Sequence, residues 1–272
     1  MKIIDTPFVQ SFIRLTDDAT HKGWHERNGG NLSYRIRPEE VTAIQAELRD
    51  PEKWTPTEVS VPELAGEYFL VTGSGKFMRN IILAPEENTA IAVIDEMGEN
   101  YSLVWGLTKG GRPTSEFPTH LMNHAITKTR TAGVHRVIYH SHPVNAIALT
   151  FVLPLEDRVF TRELWGGMTE CPIIFPEGVG VVPWMVPGGP EIALATAEKI
   201  RDFNVVFWTH HGVFCCGADF DEVFGMMDAV EKSAAIAVKV ISMGGKKREI
   251  QPNEYRDLAK FFKITLCEEF LD

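Results

Sequence analysis

The heptapeptide Arg136-Val137-Ile138-Tyr139-His140-Ser141-His142 places an apolar run directly before two histidines that are separated by one serine. The run predicts a strand over residues 136–139 that ends at the first histidine. Alternate residues of a strand project to the same side, about 6.5–7 Å apart along the chain, so both imidazoles can converge on one cation. Two histidines at a strand end are equally compatible with half-exposed polar residues, so a metal site requires a third ligand from elsewhere.

A candidate third ligand follows a second predicted strand, over residues 205–208, in the run Trp208-Thr209-His210-His211-Gly212. Zinc accepts neutral imidazole nitrogens, and a catalytic zinc site usually has three protein ligands and one open position. Gly212 allows the backbone to turn tightly beside such an ion. We expect His211 to complete the site, with His210 as its competitor. The remaining histidines are interpreted as surface or capping residues: His21, His25, His120, His124 and His135.

Three loops rich in hydrogen-bond donors could hold a phosphate-sized anion. They are Gly73-Ser74-Gly75-Lys76 after a predicted strand over 68–72, Asn28-Gly29-Gly30-Asn31, and Thr114-Ser115 at a predicted helix start. Turn or cap chemistry alone is the alternative for each loop. The first loop is neither a P-loop nor a dinucleotide-binding fingerprint, because Met78 stands where the third glycine belongs.

Glu116 directly follows Thr114-Ser115 at the start of a helix that we expect to extend to about residue 129, with Ser115 as its cap. One interpretation is a carboxylate that stabilises the first helical turn. The other is a general acid/base or a removable metal ligand. The second interpretation requires the two histidines of the opening heptapeptide to lie nearby.

The rest of the chain predicts alternating helices and strands without an internal boundary, which favours one α/β domain over residues 1–272. The long apolar helix predicted at 219–243 suits either core packing or a subunit interface. Residues 38–67 predict a surface connection with one short helix. The other helices are expected over 6–24, 145–149, 161–165 and 191–201, and the other strands over 32–36, 90–95, 101–105 and near 173 and 179.

Composition excludes several classes of protein. The chain has 272 residues, 44% of them hydrophobic and 24% charged, which is typical of a globular protein. Its formal charge of −10 argues against a nucleic-acid partner but not against one small phosphorylated metabolite. The four cysteines form no disulfide framework, and no signal peptide or membrane-spanning run is present, so we expect a cytoplasmic protein that does not contact a membrane.

Taken together, these motifs resemble the zinc-dependent class II aldolases of the aldolase and adducin superfamily in order and spacing. Further similar stretches are Trp105-Gly106-Leu107-Thr108, Gly178-Val179-Gly180, 183–188 and Glu231-Lys232-Ser233-Ala234, so the resemblance spans nearly the full chain. It implies a single three-layer α/β domain with a central, largely antiparallel mixed sheet flanked by helices. It also implies a homotetramer with active sites at subunit contacts.

The resemblance also implies a role for individual residues. His140, His142 and His211 would hold one Zn²⁺ per subunit, and Glu116 would be the catalytic carboxylate that can also approach the metal. Glu170 is similar to a family glutamate that acts from the neighbouring subunit. The substrate phosphate and its neighbouring oxygens would be held by Asn28, Gly30, Asn31, Ser74, Gly75, Thr114 and Ser115.

The activity implied is the retro-aldol cleavage of a ketose 1-phosphate, in which Zn²⁺ acts as a Lewis acid and no Schiff-base lysine is needed. The alternatives are an aldolase for another ketose phosphate, a phosphopentose epimerase that reuses the retro-aldol step, a metal-dependent hydrolase, and a non-catalytic binding module like the adducin head. Three imidazoles with a carboxylate or water also admit Co²⁺ or Mn²⁺.

Overall fold

A nine-stranded sheet forms the centre of the computed structural model, which describes residues 2–271. In chain order the strands are β1 (Asn31–Arg35), β2 (Thr55–Pro56), β3 (Tyr68–Thr72), β4 (Thr89–Ile94), β5 (Asn100–Gly106), β6 (Val137–Ser141), β7 (Gly180–Val182), β8 (Val205–Trp208) and β9 (Gly212–Gly217). Their order across the sheet is β2-β5-β4-β3-β1-β6-β9-β8-β7. The strand made by the opening heptapeptide, β6, therefore lies near the middle of the sheet.

All neighbouring strands pair antiparallel except β7 and β8, which pair parallel. This arrangement confirms the expected α/β fold with a largely antiparallel mixed sheet. In the centre, Asn31 of β1 lies opposite His140 of β6, and His140 lies opposite Phe214 of β9. This register brings residues that are far apart in sequence to one face of the sheet at one level.

Helices cover both faces of the sheet. They are α1 (Pro7–His21), α2 (Pro38–Ile44), α3 (Pro85–Asn88), α4 (Phe117–Arg130), α5 (Val144–Leu149), α6 (Asp157–Gly167), α7 (Cys171–Ile174), α8 (Pro190–Ile200), α9 (Phe220–Ser242) and α10 (Pro252–Phe262). The longest, α9, begins at Asp219, whose carboxylate accepts a hydrogen bond from the Glu222 backbone N–H, as expected of an N-cap. None of the helices described is long and apolar enough to cross a membrane.

The apolar core is divided by the sheet. Alternate residues of β3 point to opposite faces, so Leu70 joins the main cluster while Phe69 and Val71 join a smaller one beneath α4. The smaller cluster receives Phe117 and Leu121 from α4. This packing fixes the start of α4, and with it Glu116, over the strands β1 and β3.

Local periodicity located most elements to within a few residues, and three expectations need correction. The strand expected near Ile173 is wrong, because this residue lies in the short helix α7, which Pro172 helps to begin. Ser115 does not cap α4, since Glu116 occupies the N-cap position. Residues 38–67 form more than a surface connection: they contribute α2, the edge strand β2, and the buried side chains of Val61 and Leu64.

Candidate active site

Three histidines meet at one end of the central strands. His140 lies within β6, His142 directly follows it, and His211 lies in the turn between β8 and β9. Each offers one ring nitrogen to a group whose atoms all lie within 4.8 Å of one another. His140 is fully buried, whereas His142 and His211 are half-buried, so the group is accessible from one side. We call these three residues the histidine cluster.

Hydrogen bonds fix which nitrogens of this cluster face inward. Nδ1 of His140 lies 3.1 Å from the Val213 carbonyl oxygen, and Nδ1 of His142 lies 2.7 Å from Oε1 of Glu26. Both of these oxygens only accept hydrogen bonds, so each Nδ1 carries a proton, and in the neutral form of each ring the lone pair lies on Nε2. The two Nε2 atoms face each other at 3.3 Å. Two lone pairs at this distance repel unless a cation lies between them.

The third histidine, His211, is also a neutral imidazole with a free lone pair. Nδ1 of His211 is buried and has no hydrogen-bond partner among residues 2–271. Burial lowers the pKa of His211 to about 4 and holds the pKa of His140 well below its usual range, so both rings are neutral at physiological pH. Neutral imidazoles with free lone pairs are the ligands that divalent zinc and related metals prefer. The residues present therefore fit a metal ion.

His210 lies outside the histidine cluster. Its backbone has a φ of +60°, which turns the side chain away from its neighbour. Nδ1 of His210 lies 3.1 Å from the Thr150 hydroxyl oxygen, and its ring packs on Phe151. Of the two histidines that the sequence left in competition, the structure brings only His211 to His140 and His142.

Glu116 stands beside the histidine cluster at the N-terminus of α4. Its Oε2 lies 3.8 Å from Nε2 of His140 and accepts a hydrogen bond of 2.8 Å from Nδ2 of Asn31. Burial raises the pKa of Glu116 to about 7, against the opposing effect of the Asn31 hydrogen bond. A carboxyl group with this pKa can both release and accept a proton near neutral pH, which is what general acid/base catalysis requires.

Two of the predicted anion loops lie side by side. The Ser74 backbone N–H donates to the Arg112 carbonyl, and the Thr114 N–H donates to the Thr72 carbonyl, at 2.9 and 2.8 Å. Ser74 is half-buried, while Gly75 and Ser115 are exposed to solvent. The structure thus brings the end of β3 and the start of α4 together, with Glu116 directly after them.

The loop before β1 approaches the same region from the other side. Asn31 is buried opposite His140, while Asn28 is exposed. Gly30 has a φ of +74°, and a Cβ there would lie 2.5 Å from Nδ1 of His25 and 2.7 Å from the His140 carbonyl oxygen. Only glycine allows this close approach of the loop to β6.

Glu170 occupies a different position. It is exposed at the N-cap of α7, and no hydrogen bond or ion pair within the described residues joins it to the histidine cluster. Among residues 2–271, the Glu170 carboxylate forms no ion pair. Its expected action from a neighbouring subunit stays a prediction.

The interpretation of His120 and His124 as surface or capping residues is wrong. Both are fully buried on the inner face of α4 and bond the Ser33 hydroxyl, and His120 also bonds Asn31. His25 was misinterpreted as well, because its Nδ1 donates to the Gly29 carbonyl and its Nε2 lies 2.9 Å from the Tyr139 hydroxyl. The spacing of four between His120 and His124 was the available signal, since it places both on one helix face.

Sequence reasoning also missed Glu26. Its Oε1 accepts from Nδ1 of His142, an arrangement in which a carboxylate orients a histidine and raises its basicity as a metal ligand. The side chain of Glu26 is 65% exposed, so it approaches the cluster from the solvent side. Its position in the loop just before Asn28 was the only hint in the sequence.

Fold and site together define a metal-dependent aldolase scaffold. The chain belongs to the family of class II aldolases and adducin N-terminal domains, whose family model matches residues 10–238. The chain is a lyase, because it is similar to aldolases over nearly its full length, and class II aldolases depend on a metal ion.

Relatives of known activity match almost end to end. A rhamnulose-1-phosphate aldolase of Mannheimia succiniciproducens is 47% identical over 263 residues, 97% of each chain. A rhamnulose-1-phosphate aldolase of Yersinia pseudotuberculosis is 46% identical over 270 residues, 99% of this chain and 98% of that one. The crystal structure of a sugar-phosphate aldolase from Thermotoga maritima superposes with a TM-score of 0.73 at 29% identity, covering 87% of this chain and 97% of the other.

Proposed function

We propose that this protein catalyses the zinc-dependent retro-aldol cleavage of L-rhamnulose 1-phosphate to dihydroxyacetone phosphate and L-lactaldehyde, a step of rhamnose catabolism. The observation that carries the chemistry is the pair of Nε2 atoms of His140 and His142, which face each other 3.3 Å apart beside a buried carboxyl group. The choice of substrate is supported by the activity named for relatives that are 46–47% identical over nearly their full length.

His140, His142 and His211 would hold the zinc ion through their inward nitrogens. When bound, Zn²⁺ supplies Lewis-acid stabilisation of the negative charge that develops on the oxygens of the substrate. The chain itself prepares this site before binding, because the Val213 carbonyl and Glu26 fix the two Nδ1 protons on the far side of the rings.

Glu116 would exchange the proton at C3 of the substrate. Cleavage of the C3–C4 bond leaves its electron pair on C3, while the C4 hydroxyl loses its proton to become the aldehyde. Protonation of C3 then releases dihydroxyacetone phosphate. A carboxyl group whose pKa is raised to about 7 carries a proton in a large fraction of molecules at neutral pH and can deliver it from Oε1 or Oε2.

Glu170 of a neighbouring subunit, or a bound water, would assist at the aldehyde end. The exposure of Glu170 in one subunit supports this role, since its carboxylate is available to a neighbour. Large apolar side chains are exposed at α5 and just after it, including Val144, Phe151 and Val152 at 61–67%, and they support burial in a homotetramer. We propose that the active sites lie at these subunit contacts, in a cytoplasmic enzyme.

The phosphate would be held by the adjoining loops. Ser74, Thr114 and Ser115 offer hydroxyl groups, and Gly75 and Ser115 offer backbone N–H groups, near the N-terminal end of α4, where the helix dipole favours an anion. Asn28, Gly30 and Asn31 would contact the neighbouring oxygens from the loop before β1.

Substrate identity is tested by assaying purified protein on a panel of ketose phosphates and measuring dihydroxyacetone phosphate with a coupled dehydrogenase. We expect release from L-rhamnulose 1-phosphate to exceed that from L-fuculose 1-phosphate and from pentulose phosphates. Epimer formation without net cleavage would favour the epimerase, and phosphate release without aldehyde would favour the hydrolase. A metal-free protein inert on the whole panel would indicate a binding module.

A further inference from the structure

We propose that His120, Ser33 and His124 are positioning residues, which fix the orientation of the Asn31 side-chain amide and thereby hold Glu116 for catalysis. The inference rests on the proposed function, since it concerns the carboxyl group that this function uses. The four residues Asn31, Ser33, His120 and His124 are called here the buried polar chain. None of them is identified above as a metal ligand.

The buried polar chain extends from Glu116 into the space between β1 and α4. Asn31 and Ser33 are alternate residues of β1 and face α4, while His120 and His124 lie one turn apart on α4 and face β1. Ser33, His120 and His124 are fully buried, and Asn31 is 5% exposed. The links are Glu116 Oε2 to Asn31 Nδ2 at 2.8 Å, Asn31 Oδ1 to His120 Nε2, His120 Nδ1 to Ser33 Oγ at 2.6 Å, and Ser33 Oγ to His124 Nε2 at 2.8 Å.

The orientation of the Asn31 amide sets one order of protons along this chain. Nδ2 of Asn31 donates to Glu116, so its Oδ1 must accept, and Nε2 of His120 must carry a proton. Burial lowers the pKa of His120 to about 3, so the ring is neutral and its Nδ1 accepts from the Ser33 hydroxyl. The Ser33 oxygen then accepts from a protonated Nε2 of His124. Every donor in the chain points towards Glu116.

His124, at the end of the buried polar chain away from Glu116, explains why the opposite order of protons is disfavoured. Nδ1 of His124 is buried without a hydrogen-bond partner among residues 2–271. In the order derived above, this atom is an unused acceptor. In the reversed order it would be a buried N–H without an acceptor, and buried unpaired N–H donors are the rarer and costlier defect.

This arrangement positions the carboxyl group and does not conduct protons. A proton passing from Glu116 to His120 would have to convert the Asn31 amide into its imidic acid form, which is unfavourable. The chain instead prevents rotation of the amide, because a rotated Asn31 would present Oδ1 to the Glu116 carboxylate and Nδ2 to a protonated Nε2 of His120. The contact with His120 would be repulsive in either state of Glu116, and the contact with Glu116 would be repulsive when its carboxylate is ionised, so the amide is held in one orientation.

The first test needs no substrate. Nitrogen-15 NMR of histidine-labelled protein distinguishes a ring protonated at Nε2 from one protonated at Nδ1, and single substitutions assign the signals. We expect His120 and His124 both to be neutral and protonated at Nε2. Protonation of both rings at Nδ1 would establish the reversed order and overturn the proposal.

The second test compares kinetics of four variants under equal metal content. H120L removes both hydrogen bonds of the ring, H120Q retains an N–H donor for Asn31, and S33A removes the hydroxyl that orients His120. T127V is the matched control, because it removes a buried hydroxyl of α4 whose only acceptors are the backbone carbonyls of Asn123 and His124. We expect kcat to fall about tenfold to a hundredfold in H120L, since a displaced catalytic group costs rate at this scale.

The remaining expectations separate positioning from general damage to the fold. KM and metal content should stay within about twofold of wild type in all four variants. H120Q and S33A should retain a higher kcat than H120L, and the kcat of T127V should equal that of wild type. H120L should have little further effect in an N31A background, since His120 acts through Asn31. Wild-type kcat in a folded H120L or S33A protein would overturn the proposal, whereas an inactive wild type would refute the proposed function instead.

Discussion

The histidine cluster and the buried polar chain draw on the paired strands β6 and β1, respectively, but differ in how their hydrogen bonds are matched. In the cluster, Nδ1 of His140 and Nδ1 of His142 are satisfied by Val213 and Glu26, whereas the two Nε2 atoms of these rings face one another and Nδ1 of His211 has no partner among residues 2–271. In the chain, each N–H or O–H meets an acceptor from His124 to Glu116. Unmatched lone pairs that converge indicate a ligand site, whereas a series of hydrogen bonds in which every donor has an acceptor indicates an arrangement that holds geometry.

Glu116 belongs to both regions. Its Oε2 lies 3.8 Å from Nε2 of His140 on one side and 2.8 Å from Nδ2 of Asn31 on the other. The comparison therefore predicts two kinds of loss. Substitutions in the cluster should remove the metal, and substitutions at Glu116 or in the chain should reduce turnover while the metal stays bound.

The largest effect is expected for H142A, which removes one of three metal ligands. We expect the purified variant to contain far less zinc than wild type and turnover to fall by about 10³-fold or more, because the ion supplies several kcal/mol of transition-state stabilisation. Metal analysis by mass spectrometry and the coupled assay measure the two quantities. H210N is the matched control, since His210 lies outside the cluster and asparagine tolerates its positive φ. Full zinc content in H142A would contradict the ligand assignment.

E116Q is expected to separate the two regions most clearly. The amide has nearly the shape of the carboxyl group but cannot exchange a proton at C3, so turnover should fall by about 10²- to 10⁴-fold. Zinc content should remain at the wild-type level, because the three histidines are untouched. Wild-type turnover in a zinc-loaded E116Q protein would show that Glu116 is not the catalytic acid or base.

E26Q tests whether the hydrogen bond from Nδ1 of His142 to Glu26 contributes to metal affinity. The substitution replaces the charged acceptor of the His142 Nδ1 proton by a neutral amide, and such changes typically weaken metal affinity by about 10- to 100-fold. Competition with a chelator of known affinity measures the change. E47Q, at an exposed glutamate of a short helical turn, serves as the control. Equal zinc affinity in E26Q and wild type would mean that the Val213 carbonyl and packing alone orient the ligands.

The smallest effect concerns the pH dependence of stability. Burial lowers the pKa of His120 from 6.5 to about 3, so between these pH values the unfolded chain binds a proton that the folded chain does not. Stability therefore falls as the pH decreases below about 6.5, by about 1.4 kcal/mol per pH unit for this group, and is unaffected by it above that range. Urea unfolding of wild type and H120L between pH 7 and 5 should give the shallower pH dependence in H120L. Parallel curves would contradict a neutral buried His120.

Much of the fold was predictable from local patterns. The apolar runs at Tyr68–Thr72 and Val205–Trp208 were located to the residue, and the long helix α9 to within one residue at each end. The strand β9 was missed because it begins one residue after His211 and carries two cysteines and flanking glycines in place of a clear alternation. The order of the strands depends on pairings between distant segments, which no local pattern contains.

The candidate site likewise has a part that local sequence patterns predict and a part that depends on contacts between distant segments. His140 and His142 were recognisable because one strand brings both to one side, and His211 because it follows another strand end. The buried polar chain was not recognisable, since Ser33 meets His120 and His124 across 87 and 91 residues of sequence. A histidine pair on one helix face is ordinarily a surface feature, and only the packing of α4 on β1 buries it.

The measurement that tests the account most directly is the release of dihydroxyacetone phosphate from L-rhamnulose 1-phosphate by one preparation in three states: as purified, after chelation, and after zinc is restored. We predict release that disappears with the chelator and returns with stoichiometric zinc, while the H142A variant stays inactive in all three states. Release that persists in protein shown to be free of metal would contradict the central claim that the histidine cluster binds the metal on which the reaction depends.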